Sequence, residues 1–208
     1  SPSALNTYRS CQLKFYFKYV AGFKEADSVD ESVDHATFGT AVHDTLEALY
    51  EPHIGKPLTV EVLNGLKSKS EKELQLQFAK QISGDGLIHG KNLLAYEVAK
   101  TYVSRVLNLD LNSVKAGKAI TPLLLEEQLK RSVTLTIGEE EIEIGLKGMA
   151  DRIDQLADGT IRIIDYKTGA FDQKKTSVKL DDTLASPAAD HAFQLLLYAY
   201  MYKGQQQN

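Results

Sequence analysis

The sequence is poor in cysteine, tryptophan, long apolar runs and excess positive charge. A single cysteine, Cys11, excludes an internal disulfide and any cluster needing several thiolates from this chain, and it fits a reducing cytoplasm. No apolar stretch approaches the roughly 20 residues that span a bilayer, and nothing resembles a signal peptide, so no membrane partner is expected. There is no net positive charge to advertise a nucleic-acid binder, since the formal charge is −4. That balance does not exclude one, because phosphate contacts need only a local basic stripe. What remains is an ordinary soluble composition, 43% apolar and 25% charged. Its 208 residues are enough for one domain with a sizeable core. The sequence opens at Ser1 and runs directly into a helical pattern, so it reads as a domain cut from a longer polypeptide.

The most informative stretch is Gly145–Gly169, GLKGMADRIDQLADGTIRIIDYKTG. Two β-branched runs, Met149–Leu156 and Thr160–Tyr166, flank Ala157-Asp158-Gly159. A glycine in the third place of a three-residue loop supplies the left-handed conformation that closes a hairpin on a type I turn. With residues 157–159 as the loop, Leu156 pairs with Thr160 and Asp151 lies opposite Asp165 on one sheet face. Lys167, two residues on, projects from the same face. A two-residue loop would instead bring Asp154 to Asp165. Ile153 against Ile163 and Asp154 against Arg162 favour the first register. The Asp154–Arg162 pair reads as an ordinary, partly exposed cross-strand ion pair worth at most about 1 kcal/mol.

Two carboxylates held side by side raise each other's pKa unless a cation sits between them. Their oxygens are hard ligands that suit Mg²⁺ or Mn²⁺. A nearby ammonium can orient a water or stabilise charge developing on a phosphate. Asp-x-Lys alone is too common a tripeptide to carry that reading. The whole order, Gly-x-x-Asp-Arg-Ile-Asp, hairpin, apolar strand, Asp-Tyr-Lys-Thr-Gly, is more specific. It resembles the PD-(D/E)XK nuclease superfamily, in the branch fused to RecB- and AddB-type helicase–nucleases.

Ser3 to about Val20 is a helical pattern with Ser3 as N-cap and Leu5, Tyr8, Phe15, Tyr16 and Tyr19 at helical spacing. Arg9, Lys14 and Lys18 read as a solvated face or as contacts to a DNA backbone. SPSALNTYRSCQLKFYFKYV resembles the family's opening helix, Ser-x-Leu-x-x-Tyr…Cys…Phe. Residues 22–36 read as a loop. The next helix, Thr37 to about Tyr50, carries an apolar stripe of Phe38, Val42, Leu46 and Leu49. A lone His43 would not by itself suggest a ligand. Its setting resembles the family's Gly-x-x-x-His helix, which implies a metal-binding His43, with Gly39 leaving room for nearby strand ends or DNA. Val60 to about Ser83 and Asn92 to about Leu111 read as helices around GLIHGKN (86–92). That turn lacks the Walker spacing and therefore implies no nucleotide site.

From Pro122 the pattern is β-rich, with Leu123–Leu125, Glu126-Glu127, an alternating run Ser132–Ile137, a Gly138-Glu139 turn and a return strand from Ile142. The resemblance places an acidic residue on the first strand, and Glu126, with Leu129 in the following aromatic place, fits better than Glu127. After Gly169 comes a long polar loop bearing Lys174, Lys175 and Lys179. The last helix, about Ala189–Lys203, carries Gln194 and Tyr198 one turn apart, which resembles the family's Gln-x-x-x-Tyr motif. Some relatives bind an iron–sulfur cluster through four cysteines. Cys11 matches the first, and no other is present, so no such cluster is expected in this chain.

The resemblance spans residues 1–208 as a single nuclease domain, a fragment of a larger helicase–nuclease or repair protein. It implies an α/β fold of the restriction-endonuclease type, with a mixed sheet flanked by helices. The implied activity is metal-dependent DNA hydrolysis, exonucleolytic, in recombination or repair. His43, Asp151, Asp165 and the Tyr166 carbonyl would hold Mg²⁺ or Mn²⁺. Lys167 and Glu126 would complete the catalytic set, and Gln194 and Tyr198 would orient the strand. The implied partners are DNA and a helicase module outside this sequence. A non-catalytic DNA-binding or scaffold domain of the same fold stands as the alternative.

Overall fold

The computed structural model describes residues 1–23, 35–81, 90–169 and 189–206. The loop lysines Lys174, Lys175 and Lys179, and His89, lie outside these. Among the described residues six α-helices and three strands follow in the order α1 (Pro2–Ser10), α2 (Gln12–Phe15), α3 (His35–Tyr50), α4 (Val60–Gln81), α5 (Gly90–Lys115), β1 (Ile120–Ile137), β2 (Glu140–Leu156), β3 (Ile161–Ile164) and α6 (Asp190–Gln205). The described strands form one antiparallel sheet in the order β1-β2-β3. The chain divides into two compact units, and the division falls within β1 and β2, after Glu126 and after Ala150.

In the unit formed by residues 29–126 and 151–170, α3, α4 and α5 pack together. The expected stripe of α3 is the centre of that packing. Val42, Leu46 and Leu49 are buried against Leu63, Leu74 and Phe78 of α4, Val103 and Leu107 of α5, and Ile120 at the start of β1. The β2–β3 register is the one expected, with Ile153 opposite Ile163 and Asp154 opposite Arg162. Its loop closes through the Leu156 N–H to Thr160 O (2.9 Å) and the Gly159 N–H to Leu156 O (2.9 Å), with Gly159 at φ +82°. Asp158 Oδ1 accepts from the Thr160 N–H and braces the turn.

One expectation about this hairpin fails. Asp154 is not half of an exposed pair; it is fully buried. Its carboxylate accepts from Arg152 Nε at 2.7 Å and from Arg162 Nη2 at 2.6 Å. Asp110 of α5 faces both guanidiniums, Arg152 at 2.7 Å and Arg162 at 3.0 Å, and accepts from the Tyr50 hydroxyl at 2.7 Å. The Arg152 guanidinium also stacks 3.9 Å over the Tyr50 ring. Two carboxylates and two guanidiniums thus neutralise one another inside the unit. The partner that turns a surface pair into a buried network is supplied by a distant helix.

The other unit comprises residues 1–28, 127–150 and 171–208. Its first helix is not continuous from Ser3 to Val20. Ser1 is the N-cap, accepting from the Ala4 N–H at 3.3 Å, because Pro2 has no N–H to satisfy and fits the first helical position. Cys11 is extended (φ −161°) and ends α1. Its sulfur then caps α2 by accepting from the Lys14 N–H at 3.5 Å. Residues Tyr16–Val20 continue as a π-helical turn. In the same unit α1 packs on α6. Gly148 of β2 lies under α6, where an added Cβ would sit 2.7 Å from Tyr198 Cε1 and 3.0 Å from Met201 Cε. Gly148→Ala is therefore expected to destabilise the protein by about 1–3 kcal/mol, as overpacking does, read as a lowered melting temperature.

Candidate metal centre

α3 presents Gly39 and His43 on one face, one turn apart. A side chain at Gly39 would press on Thr168 Oγ1, at 3.2 Å from the added Cβ, so the glycine lets the segment after β3 approach the helix. That segment delivers the Tyr166 carbonyl to His43 Nε2 at 3.1 Å. The other imidazole nitrogen, Nδ1, faces Glu126 Oε1 at 3.4 Å and Asp151 Oδ1 at 3.6 Å. His43, Glu126 and Asp151 each turn one ligand atom to a common point, all within 4.8 Å of one another.

Glu126 arrives there by an unusual backbone. It is the described non-glycine residue with a left-handed conformation, φ +43°, in the middle of a strand. Such a conformation costs on the order of 1–3 kcal/mol and persists where the surroundings enforce it. It interrupts the alternation of β1 and gives Glu126, not Glu127, to His43. Leu129, three residues on, is fully buried, as its apolar place requires.

Asp151 comes from β2 and is mostly buried, with Oδ2 accepting a short hydrogen bond from the Tyr166 N–H. Its pKa is pushed up to about 6, chiefly by burial and also by Asp165 and Glu126, with His43 and the Tyr166 N–H opposing them. Burial pulls the His43 pKa down, but the Glu126 hydrogen bond, the charges of Asp151 and Glu126 and the Tyr166 carbonyl outweigh it, so the imidazole titrates above its ordinary value. The Asp165 side chain is largely covered and ion-paired with Lys167. Its carboxylate is outside the three-residue cluster but close enough to act on Asp151.

Tyr166 ties this centre to the buried charge network. Its backbone touches Asp151 and His43, and its phenol lies among Arg152, Asp110 and Asp154. Burial pushes that phenol up to about 12, against the lowering by Arg152. Alternation along β2 does the sorting: Asp151 faces the centre, and Arg152 and Asp154 face the network. The network residues Tyr50, Asp110 and Arg152 were not among the residues expected from the sequence.

One imidazole nitrogen and two carboxylates form a donor set that suits a hard divalent cation, with the Tyr166 carbonyl at the other imidazole nitrogen. Burial, and after it the neighbouring Asp165 and Glu126, oppose the ionised Asp151 carboxylate, and such a cation would relieve that opposition. Gln194 and Tyr198 belong to the other unit, where Gln194 Nε2 donates to the Tyr198 hydroxyl at 2.7 Å.

A family model described as the PD-(D/E)XK nuclease superfamily matches residues 1–208. The chain belongs to the PD-(D/E)XK nuclease superfamily. Its fold is the α/β restriction-endonuclease type, represented by the antiparallel strands and flanking helices described above. Curated relatives include a subunit of the ATP-dependent helicase/deoxyribonuclease of Streptococcus agalactiae, 28% identical over 183 residues, which is 84% of this chain and 15% of that protein. Proteins of the same name from Streptococcus uberis and Streptococcus pyogenes are 26% and 27% identical over 81% and 82% of this chain, and 14% of each of those proteins. The chain thus spans about one-seventh of the length of these relatives. Among the described residues no helix is long and apolar enough to cross a membrane.

Proposed function

We propose that this chain is the nuclease module, residues 1–208, of a helicase–nuclease acting in DNA repair or recombination, and that it hydrolyses DNA phosphodiester bonds from strand ends with Mg²⁺ or Mn²⁺. The observation that carries this reading is the convergence of His43, Glu126 and Asp151 within 4.8 Å, beside the Asp165–Lys167 pair. Family membership and the deoxyribonuclease names of the relatives support it. His43, Glu126, Asp151 and Asp165, with the Tyr166 carbonyl, would hold the ion. A bound divalent ion supplies Lewis acidity and lowers the pKa of its water. Lys167 places an ammonium beside the carboxylates, where it donates to the attacking water or to charge developing on the phosphate. Gln194 and Tyr198 would orient the strand.

The test is end-labelled single- and double-stranded DNA incubated with Mn²⁺ or with EDTA, beside Asp165→Ala. Metal-dependent loss of label in wild type alone supports the reading. Binding without cleavage would leave a non-catalytic DNA-binding domain in its place. Lys167→Ala is expected to slow cleavage by on the order of 10²–10³, the usual cost of removing one electrostatic stabiliser, with Mn²⁺ affinity nearly unchanged. Turnover like wild type would remove Lys167 from the chemistry.

The raised Asp151 pKa gives a pH signature. In metal-free protein the folded carboxyl holds its proton up to about 6, above the unfolded value. The Asp151 contribution to stability therefore falls as pH rises through roughly 4 to 6 and is level beyond, since the unfolded chain loses its proton first, while the raised His43 continues the fall above its ordinary value. The groups facing Asp151 are His43, Glu126, Asp165 and the Tyr166 N–H. Metal requires the ionised carboxylate, so the melting-temperature rise caused by Mn²⁺ should be small at pH 5 and larger at pH 7.5. An equal rise at both would place the metal elsewhere.

A further inference from the structure

The unit holding α1, α2 and α6 carries an aromatic surface that the metal centre does not use. Six of the 17 Phe and Tyr residues of the chain fall within residues 8–23: Tyr8, Phe15, Tyr16, Phe17, Tyr19 and Phe23. All except Phe15 are exposed, with Tyr16 at 52%, Phe17 at 45% and Phe23 at 66%, and Leu13 and Val20 beside them are exposed too. The rings touch in two runs. Tyr8 meets Phe15 edge-on and Phe15 meets Tyr19, each at 5.3 Å between centroids. Phe17 meets Tyr16 at 5.7 Å and Phe23 at 5.6 Å. Tyr16, Phe17 and Tyr19 lie within the π-helical turn Tyr16–Val20.

The charge of this surface is the second observation. Residues 1–23 contain Arg9, Lys14 and Lys18 and no acidic residue, in a chain whose net charge is −4. Lys14 and Lys18 stand exposed among the rings, Lys18 5.7 Å above Tyr19. Protein-docking surfaces bury aromatic residues but deplete lysine at their centre. Interleaved rings and cations are what a single-stranded polyanion needs, since its bases are free to stack and its phosphates to pair. An acidic nuclease also requires attraction from somewhere other than its acidic centre.

We propose that Tyr16, Phe17 and Phe23, with Lys14 and Lys18, form a stacking platform for unpaired nucleotides of single-stranded nucleic acid. The proposal rests on the nuclease reading for the identity of the ligand, and its test needs no cleavage. Fluorescence anisotropy of a labelled oligothymidylate is measured with the 208-residue protein in EDTA, against a duplex of the same length and an abasic deoxyribose-phosphate strand. The oligothymidylate should bind tightest. Phe17→Ala and Phe23→Ala should each weaken it by about fivefold or more, with duplex and abasic affinities unmoved. Tyr16→Phe should bind like wild type and Tyr16→Ala should not. Lys14→Gln with Lys18→Gln should flatten the salt dependence by roughly 0.7 log unit per lost phosphate contact. These side chains are exposed, and circular dichroism verifies that each variant is folded. Equal affinity for abasic and base-bearing strands overturns the platform, as does unchanged affinity in the alanine variants. A wild type that sediments as a dimer and dissociates in those variants, without loss of oligonucleotide affinity, shows a protein interface and overturns it too. In either case Mn²⁺-dependent cleavage would persist, so failure of the platform is separable from failure of the nuclease reading.

Discussion

Asp151→Asn should abolish metal-dependent cleavage, by on the order of 10³ or more, and erase the Mn²⁺-induced rise in melting temperature, while leaving the metal-free protein at least as stable as wild type at pH 8. The substitution is isosteric, and an amide oxygen can still accept from the Tyr166 N–H. It removes a negative charge from the point where His43 and Glu126 turn their ligand atoms. It also removes a carboxylate that burial, Asp165 and Glu126 all oppose in its ionised form. Above pH 6 the native state bears that penalty and the unfolded chain does not, so neutralising the residue stabilises or is neutral. Cleavage of end-labelled DNA and thermal melting in EDTA check the two halves separately. Turnover within tenfold of wild type would remove Asp151 from the centre. A large loss of metal-free stability would make it a structural residue.

The part of this centre that local pattern could give was legible. A three-residue loop ending in Gly159 admits one register, and the pairs Ile153–Ile163 and Asp154–Arg162 are those of that register. The apolar stripe of α3 was legible for the same reason, since helical periodicity is local. His43 was not readable from spacing, because one histidine beside an apolar stripe is ordinary; only the resemblance of its surroundings pointed to it. Nothing in Glu126-Glu127 announces a left-handed residue, because the strain is imposed by packing. The break at Cys11 is hidden because hydrophobic spacing continues through it, while a thiol quietly serves as a cap. The burial of Asp154 is hidden for a deeper reason. Its local partner Arg162 is the one expected, but its burial depends on Asp110 and Tyr50, which come from helices far away in sequence.

That burial reverses the stability expected of the hairpin's second aspartate. Asp154→Asn should destabilise the protein by about 3–5 kcal/mol, against at most about 1 kcal/mol for the exposed pair the sequence suggested. The carboxylate accepts from both arginines, and Arg152 is fully buried with Asp110 as its other ion-pair partner. An amide in its place leaves two guanidiniums facing one carboxylate, and a buried, uncompensated charge is the costly outcome. For a chain of this size the shift corresponds to a drop of roughly 10 °C in melting temperature. Arg152→Met tests the same network from the opposite sign: it removes the fully buried cation and leaves Asp110 and Asp154 with Arg162 alone, so it should also destabilise. The double variant Asp154→Asn with Arg152→Met should recover part of the loss, because the charges are then balanced again, one carboxylate to one guanidinium. Additive losses in that cycle would show that the residues act separately. Tyr166 makes the effect visible at the metal centre. Its phenol lies within the network and its backbone holds Asp151 and His43, so loosening the network should weaken Mn²⁺ binding without removing a ligand. Asp151→Asn is thus expected to keep stability and lose cleavage. Asp154→Asn, three residues along the same strand, is expected to lose stability and retain Mn²⁺-dependent cleavage at temperatures where it is folded.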